Sequence, residues 1–139
     1  MRKLLLIVGL VFSSICFAAE DKAPYYEQIY NELPKEMTEL QFGEAAKKYE
    51  GKSFEDTGKV VSVKPHQTNA DLALVAFDTD VFDADQSKKF FPDVTVAYPK
   101  KDAIYLSKGD IKTIRGKIFK IVNIGGAHLI ISEATITDK

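Results

Sequence analysis

Tryptophan is absent from this 139-residue chain, which also holds only one cysteine, two methionines and two histidines. The cysteine, Cys16, falls inside the N-terminal apolar run Leu4 to Phe17, so a product that loses that run can form no disulfide. There is no Gly-x-Ser-x-Gly elbow and no cysteine outside the leader to serve as a nucleophile, which argues against an enzyme. His66 and His128 come without the spacing of a zinc set, so neither a metal nor another cofactor is expected. The acidic stretch with Asp78, Asp80, Asp83 and Asp85 also fails as a calcium loop. An EF-hand needs glycine at its sixth position and glutamate at its twelfth, where this chain has Asp83 and Lys89. It reads instead as a solvated acidic connection. No second apolar run is long enough for a membrane span.

What is present begins with an address. Arg2 and Lys3 precede the apolar run, and Cys16-Phe17-Ala18 offers small residues at the −3 and −1 positions of a cleavage site. Residues 1–18 therefore read as a signal peptide, removed to place the chain in the periplasm or outside the cell. A lipoprotein signal would want a small residue before Cys16, and Ile15 is not small, so simple export is the preferred reading. Removal of Arg2 and Lys3 takes the formal charge from −1 to −3. About 120 residues then remain, enough for one hydrophobic core without staples.

Residues 19–52 read as a helical segment. Tyr26, Ile29, Tyr30 and Leu33 recur at helical spacing before Pro34, and a second helix follows a Thr38/Gln41 capping-box pattern. Its apolar stripe is Leu40, Ala45, Ala46 and Tyr49, and Gly51 is placed to end it. From Ser53 to Thr137 the texture changes to short β-branched runs, with strands expected near 54–64, 72–79, 94–98, 110–121 and 127–135. The gap from Pro99 to Asp110 has room for one helical turn around Ala103, Ile104 and Leu106. Five strands at this spacing, with N-terminal helices and one helix between the third and fourth strands, imply a mostly β fold closed as a five-stranded, OB-fold-like barrel.

Two stretches echo each other. "FEDTGKVVSV", residues 54–63, and "KTIRGKIFKI", residues 112–121, each set a glycine and then a lysine inside a strand. A small barrel closes only if its long strands bend, and a glycine at the bend lets backbone approach backbone. Gly58 and Gly116 are the expected bend points. Beyond them Val60 and Val63 in one strand, and Ile118 and Ile121 in the other, are spaced by three, which predicts a bulge. An internal duplication is the rival account, but one short match defines no repeating period.

"AAKKYEGKSFEDTGKVVSV", "VTVAY", "YLSKGDIKTIRGKI" and "LIISEATI" resemble the bacterial secreted OB-fold proteins grouped with the tRNA-anticodon-binding-like domains. The resemblance spans about residues 45 to 136 and implies a binding fold. Asp56 and Lys112 depart from its pattern by standing where apolar side chains are expected. It further implies a ligand face on the second and third strands and the loops beside them: His66, Gln67 and Asn69, then Phe77 as a stacking plane, Thr95, Asn123 and His128. An alternative contact for an anionic ligand is the basic row Lys112, Arg115 and Lys117. The expected function is a non-catalytic periplasmic binding module for a small polar, glycan or anionic ligand. The alternative is a protein-interaction or inhibitor module acting on an envelope partner through the tyrosine helix or Phe90-Phe91. The acidic balance and export argue against a nucleic-acid partner.

Overall fold

The computed structural model describes residues 23–79 and 92–139; the leader with Cys16, the acidic residues Asp80, Asp83 and Asp85, and Phe90-Phe91 lie outside them. Two short helices, α1 (Tyr26–Glu32) and α2 (Glu39–Ala46), precede β1 (Ser53–Pro65), β2 (Leu72–Thr79) and β3 (Val94–Pro99). One helical turn, α3 (Lys100–Ala103), leads to β4 (Ile111–Asn123) and β5 (Ala127–Asp138). The strands close a barrel in the order β1-β2-β3-β5-β4, with β3 parallel to β5 and the other neighbours antiparallel. This is the five-stranded Greek-key arrangement of an OB-fold-like barrel, with the turn of helix between its third and fourth strands.

Each helix follows from local chemistry. At α2 the Thr38 hydroxyl accepts the Gln41 N–H at 3.2 Å while the Gln41 side chain accepts the Thr38 N–H at 3.1 Å, so two of the N–H groups at the helix start are satisfied. The buried side of this helix is Phe42 and Ala46, continued by Tyr49 beyond its end, and Leu40 is 77% exposed. The apolar stripe expected through Leu40 is thus rotated. The spacing 42, 46, 49 closes on the barrel, and Leu40 falls on the other side of the turn. Helix α1 buries Tyr26 and Ile29, and Leu33 just past its end is buried as well. These side chains share one core with Phe54, Phe77, Ile114, Ile118 and Leu129 of the barrel. At about 2 kcal/mol for each large apolar side chain withdrawn from water, the helical segment is an integral wall of the domain.

The two glycine-centred strands pair with each other, Gly58 lying opposite Lys112 and Gly116 opposite Phe54. Three residues beyond each glycine the ladder slips by one. Val61 is the extra residue of β1 against β2, and Phe119 is the extra residue of β4 against β5. The bulges therefore occupy equivalent places in the echoed stretches, and Val60 and Ile118, just before them, point into the core. A further slip faces Gly116, where Glu133 and Ala134 together oppose one residue and Glu133 takes a positive φ of 51°.

Asp56 and Lys112 are accounted for by their neighbours. Asp56 lies on the inward side of β1, and its carboxylate accepts the Tyr26 N–H of the first turn of α1 at 2.9 Å and the Thr57 N–H at 2.7 Å. A negative charge at a helix N-terminus is favourable because the N–H groups there point outward unpaired. Lys112 stands at the barrel mouth and pairs with Asp138.

Candidate functional site

The residues of the expected ligand face serve the fold. Phe77 is wholly buried, so it presents no stacking plane: β2 alternates Ala73, Val75, Phe77 and Thr79 inward, and the phenyl ring belongs to that set. His66 accepts the N–H groups of Thr68 at 3.2 Å and Asn69 at 3.0 Å through Nδ1, while Asn69 accepts the Asp71 N–H at 3.0 Å. These contacts build the β1–β2 turn, on which Gln67 is exposed. Asn123 likewise builds the β4–β5 turn. Its side chain accepts the Gly126 N–H at 3.0 Å and donates to the Lys35 carbonyl at 3.2 Å.

Thr95 and His128 are brought together. His128 is buried, its Nδ1 donating to the Pro92 carbonyl at 2.7 Å and its Nε2 lying 3.2 Å from the Thr95 hydroxyl. A carbonyl can only accept, so Nδ1 carries a proton. The pair fixes the start of β3 against β5. Nearby, Asp93 is buried and accepts both the N–H and the hydroxyl of Thr79, at 2.7 and 2.9 Å. The β2 and β3 positions that alternate with the core, Leu72, Leu74, Ala76 and Asp78 in one strand and Thr95 and Ala97 in the other, include no aromatic ring.

The basic row lies beside a shallow cleft of about 350 Å³ that also takes in Phe54 and Gly116. Each cation in it already has a carboxylate: Arg115 meets Glu55 at 3.0 Å, Lys117 meets Glu133 at 3.3 Å, and Lys112 pairs with Asp138. The partners come from β1 and β5, strands that flank β4 in the barrel, and the result is a charge-balanced surface. Hydrogen bonding to Asp138 raises Lys112 above its ordinary lysine value, and the same bond holds Asp138 below the ordinary carboxylate value. Among the described residues no group of three or more histidines, cysteines and carboxylates is arranged to hold a metal ion.

What the sequence reading missed is further along β4. Phe119, the extra residue of the bulge, is 66% exposed between the core residues Ile118 and Ile121. Lys120 follows it on the outside, Lys117 precedes it, and the bonds from Ile118 N–H to the Lys52 carbonyl and from Gly51 N–H to the Ile118 carbonyl bring Lys52 alongside. Lys52 and Lys120 make no ion pair among the described residues. The signal was available: in "KIFKI" the spacing of three between Ile118 and Ile121 leaves a phenylalanine and a lysine together on the outer side.

Neither a known protein family nor a curated protein matches this sequence. A solved structure from Klebsiella pneumoniae subsp. pneumoniae, described as a putative nucleic acid-binding lipoprotein, is similar with a TM-score of 0.52 and 16% identity. The match covers 71% of this chain and 81% of that one. The likeness is one of fold. It overturns the expectation that nucleic acid is no partner, because a barrel of this architecture carries that description. The exclusion rested on the acidic balance and on export, and the net charge of a whole chain does not describe any one of its faces. No helix among the described residues is long and apolar enough to cross a membrane.

Proposed function

We propose that this chain is a non-catalytic binding barrel of the cell envelope, exported by residues 1–18, whose ligand is a polyanion: a single nucleic-acid strand laid along the outside of β4. The observation that carries this reading is Phe119, an aromatic face set outward by a bulge and flanked by Lys117, Lys120 and Lys52. Single strands are held by this combination, in which a ring stacks on a base and cations follow the phosphates. The ion pair of Lys117 with Glu133 is exposed on both sides, and such a pair competes weakly with a phosphate. The nucleic-acid description of the Klebsiella barrel supports the ligand class. The internal hydrogen bonds of His66, Asn69, Asn123 and His128 count against a glycan on the second and third strands.

Fluorescence anisotropy with a labelled single-stranded oligonucleotide tests the ligand. Binding is expected to weaken with salt and to fall by about fivefold or more in Phe119→Ala, since a stacked base contributes roughly 1–3 kcal/mol. Equal affinity for Phe119→Ala and the parent would overturn the site. Intact mass of the protein from the envelope fraction tests the address: a chain beginning at Ala19 is expected, and a lipid-modified Cys16 would replace it with an anchored form.

A further inference from the structure

A second exposed surface lies away from Phe119, at the corner made by α3 and the turn after it. Ile104 is 64% exposed and Tyr105 80% exposed, side by side in sequence. Lys100, Lys101 and Lys108 lie in the same stretch, all exposed and without an ion pair among the described residues, and against Asp102 and Asp110 they leave it with one net positive charge. Ala103 is buried and Leu106 packs against the core, so the opposite side of the turn is anchored. Ile104 and Tyr105 follow directly on the buried Ala103, in the turn after α3.

The corner is also rigidly built. The Lys100 N–H donates to the Asp71 carbonyl at 2.9 Å, the Gly109 N–H to the Val60 carbonyl at 2.8 Å and the Val60 N–H to the Asp110 carbonyl at 2.8 Å. The Asp110 carboxylate closes the turn by accepting the Ser107 N–H at 2.8 Å. An aliphatic and an aromatic side chain are thereby held out in water by a fixed backbone, which gives up little further freedom on binding.

We propose that this corner docks the protein on an anionic phospholipid surface. Ile104 and Tyr105 enter the boundary between headgroups and acyl chains, and Lys100, Lys101 and Lys108 face the phosphates. Ile104, and not the tyrosine and lysines that a nucleic-acid strand would also accept, separates this corner from a nucleic-acid site. A branched aliphatic chain gains by leaving water for hydrocarbon and offers no plane for a base, whereas tyrosine and lysine are suited to the headgroup level. The inference is independent of the Phe119 reading because no residue is shared.

The chain has no tryptophan, so Tyr105→Trp introduces a single reporter. In protein purified as the cell processes it, that fluorescence is expected to shift to the blue on vesicles of phosphatidylglycerol and phosphatidylcholine and to stay unshifted on phosphatidylcholine alone. Each lysine replaced by glutamine should lower the partition coefficient about fivefold, and Ile104→Ser in the Tyr105→Trp background should reduce the shift while leaving the melting temperature in place. No shift on the anionic vesicles would overturn the proposal. A response to single-stranded oligonucleotide in place of vesicles would overturn it too, and would extend the polyanion surface to this corner. The reporter is local, so attachment through another part of the chain does not mimic the result.

Discussion

Strands β1 and β4 carry the same local pattern, glycine, lysine, core residue, bulge, but they differ in what presses on the glycine. At Gly116 an added Cβ would lie 2.6 Å from the Ile131 Cγ2, 2.8 Å from the Ser132 carbonyl oxygen and 3.1 Å from the Ala134 Cα. At Gly58 the nearest atoms are the Phe77 Cβ at 3.1 Å and the Asp78 carbonyl oxygen at 3.2 Å, followed by the Ile114 Cδ1 at 3.4 Å. Neither glycine has a positive φ, so both are needed for close approach and not for an unusual backbone angle. The tighter one faces a bulge in β5, the looser one regular pairing to β2. The same dipeptide thus sits under different amounts of contact in the two strands.

The largest effect should come from breaking that difference at its tight end. Gly116→Ala is expected to cost about 3 kcal/mol, because two of the three contacts are backbone and cannot turn aside. Gly58→Ala should cost about 1 kcal/mol, its neighbours yielding by a few tenths of an ångström. Urea unfolding of the two variants beside the parent measures both, and equal losses would remove the distinction.

A smaller effect is expected where α1 meets the barrel. The Tyr26 hydroxyl donates to the Ala127 carbonyl at 2.6 Å, and Tyr26→Phe should lose about 1–2 kcal/mol with that bond. Burial, then the charge of Asp93, raises the phenol above its ordinary 10.0. The unfolded chain therefore gives up this proton first, so the contribution is complete below pH 10 and drains away as the pH climbs beyond it. Melting temperatures between pH 8 and 11 should fall less steeply in Tyr26→Phe than in the parent.

Asp56 and Lys112 sharpen the comparison further, since both break the apolar pattern, one in each strand. Asp56→Ala is expected to destabilise by about 1 kcal/mol by leaving the Tyr26 N–H at the start of α1 without its carboxylate. Lys112→Ala should lower thermal stability only slightly, because the Asp138 end of its pair is 88% exposed. That pair also sets the smallest effect. Asp138 is held below its ordinary value, so its contribution is present above the usual carboxylate range and disappears as the pH falls through it. The slight loss of stability between pH 4 and 2 that Asp138→Asn removes would report it.

Much of the fold was readable. Period-two runs and turn residues located all five strands to within three residues of their ends, and the spacing of three after each glycine located both bulges. Asp56 was readable as an anomaly but not as a cap, because its partner lies 30 positions away. The site was harder. Phe77 could have been assigned inward from its alternation with Val75, yet the resemblance drew it to the ligand face. The basic row was visible as charge, but Glu55, Glu133 and Asp138 come beside it only through cross-strand register. Phe119 was implied by the same spacing of three that located the bulge, since the extra residue between Ile118 and Ile121 takes the outer side.

The bond between Tyr26 and Ala127 joins positions 101 apart, and the β1–β4 ladder joins residues about as distant as Ser53 and Lys117. A chain made N-terminus first therefore holds Tyr26 without its Ala127 partner until β5 has been made. Such long loops make closure slow relative to helix formation. The docking of the first described helix on the barrel is consequently late, since Tyr26 reaches its Ala127 partner only once β5 is in place.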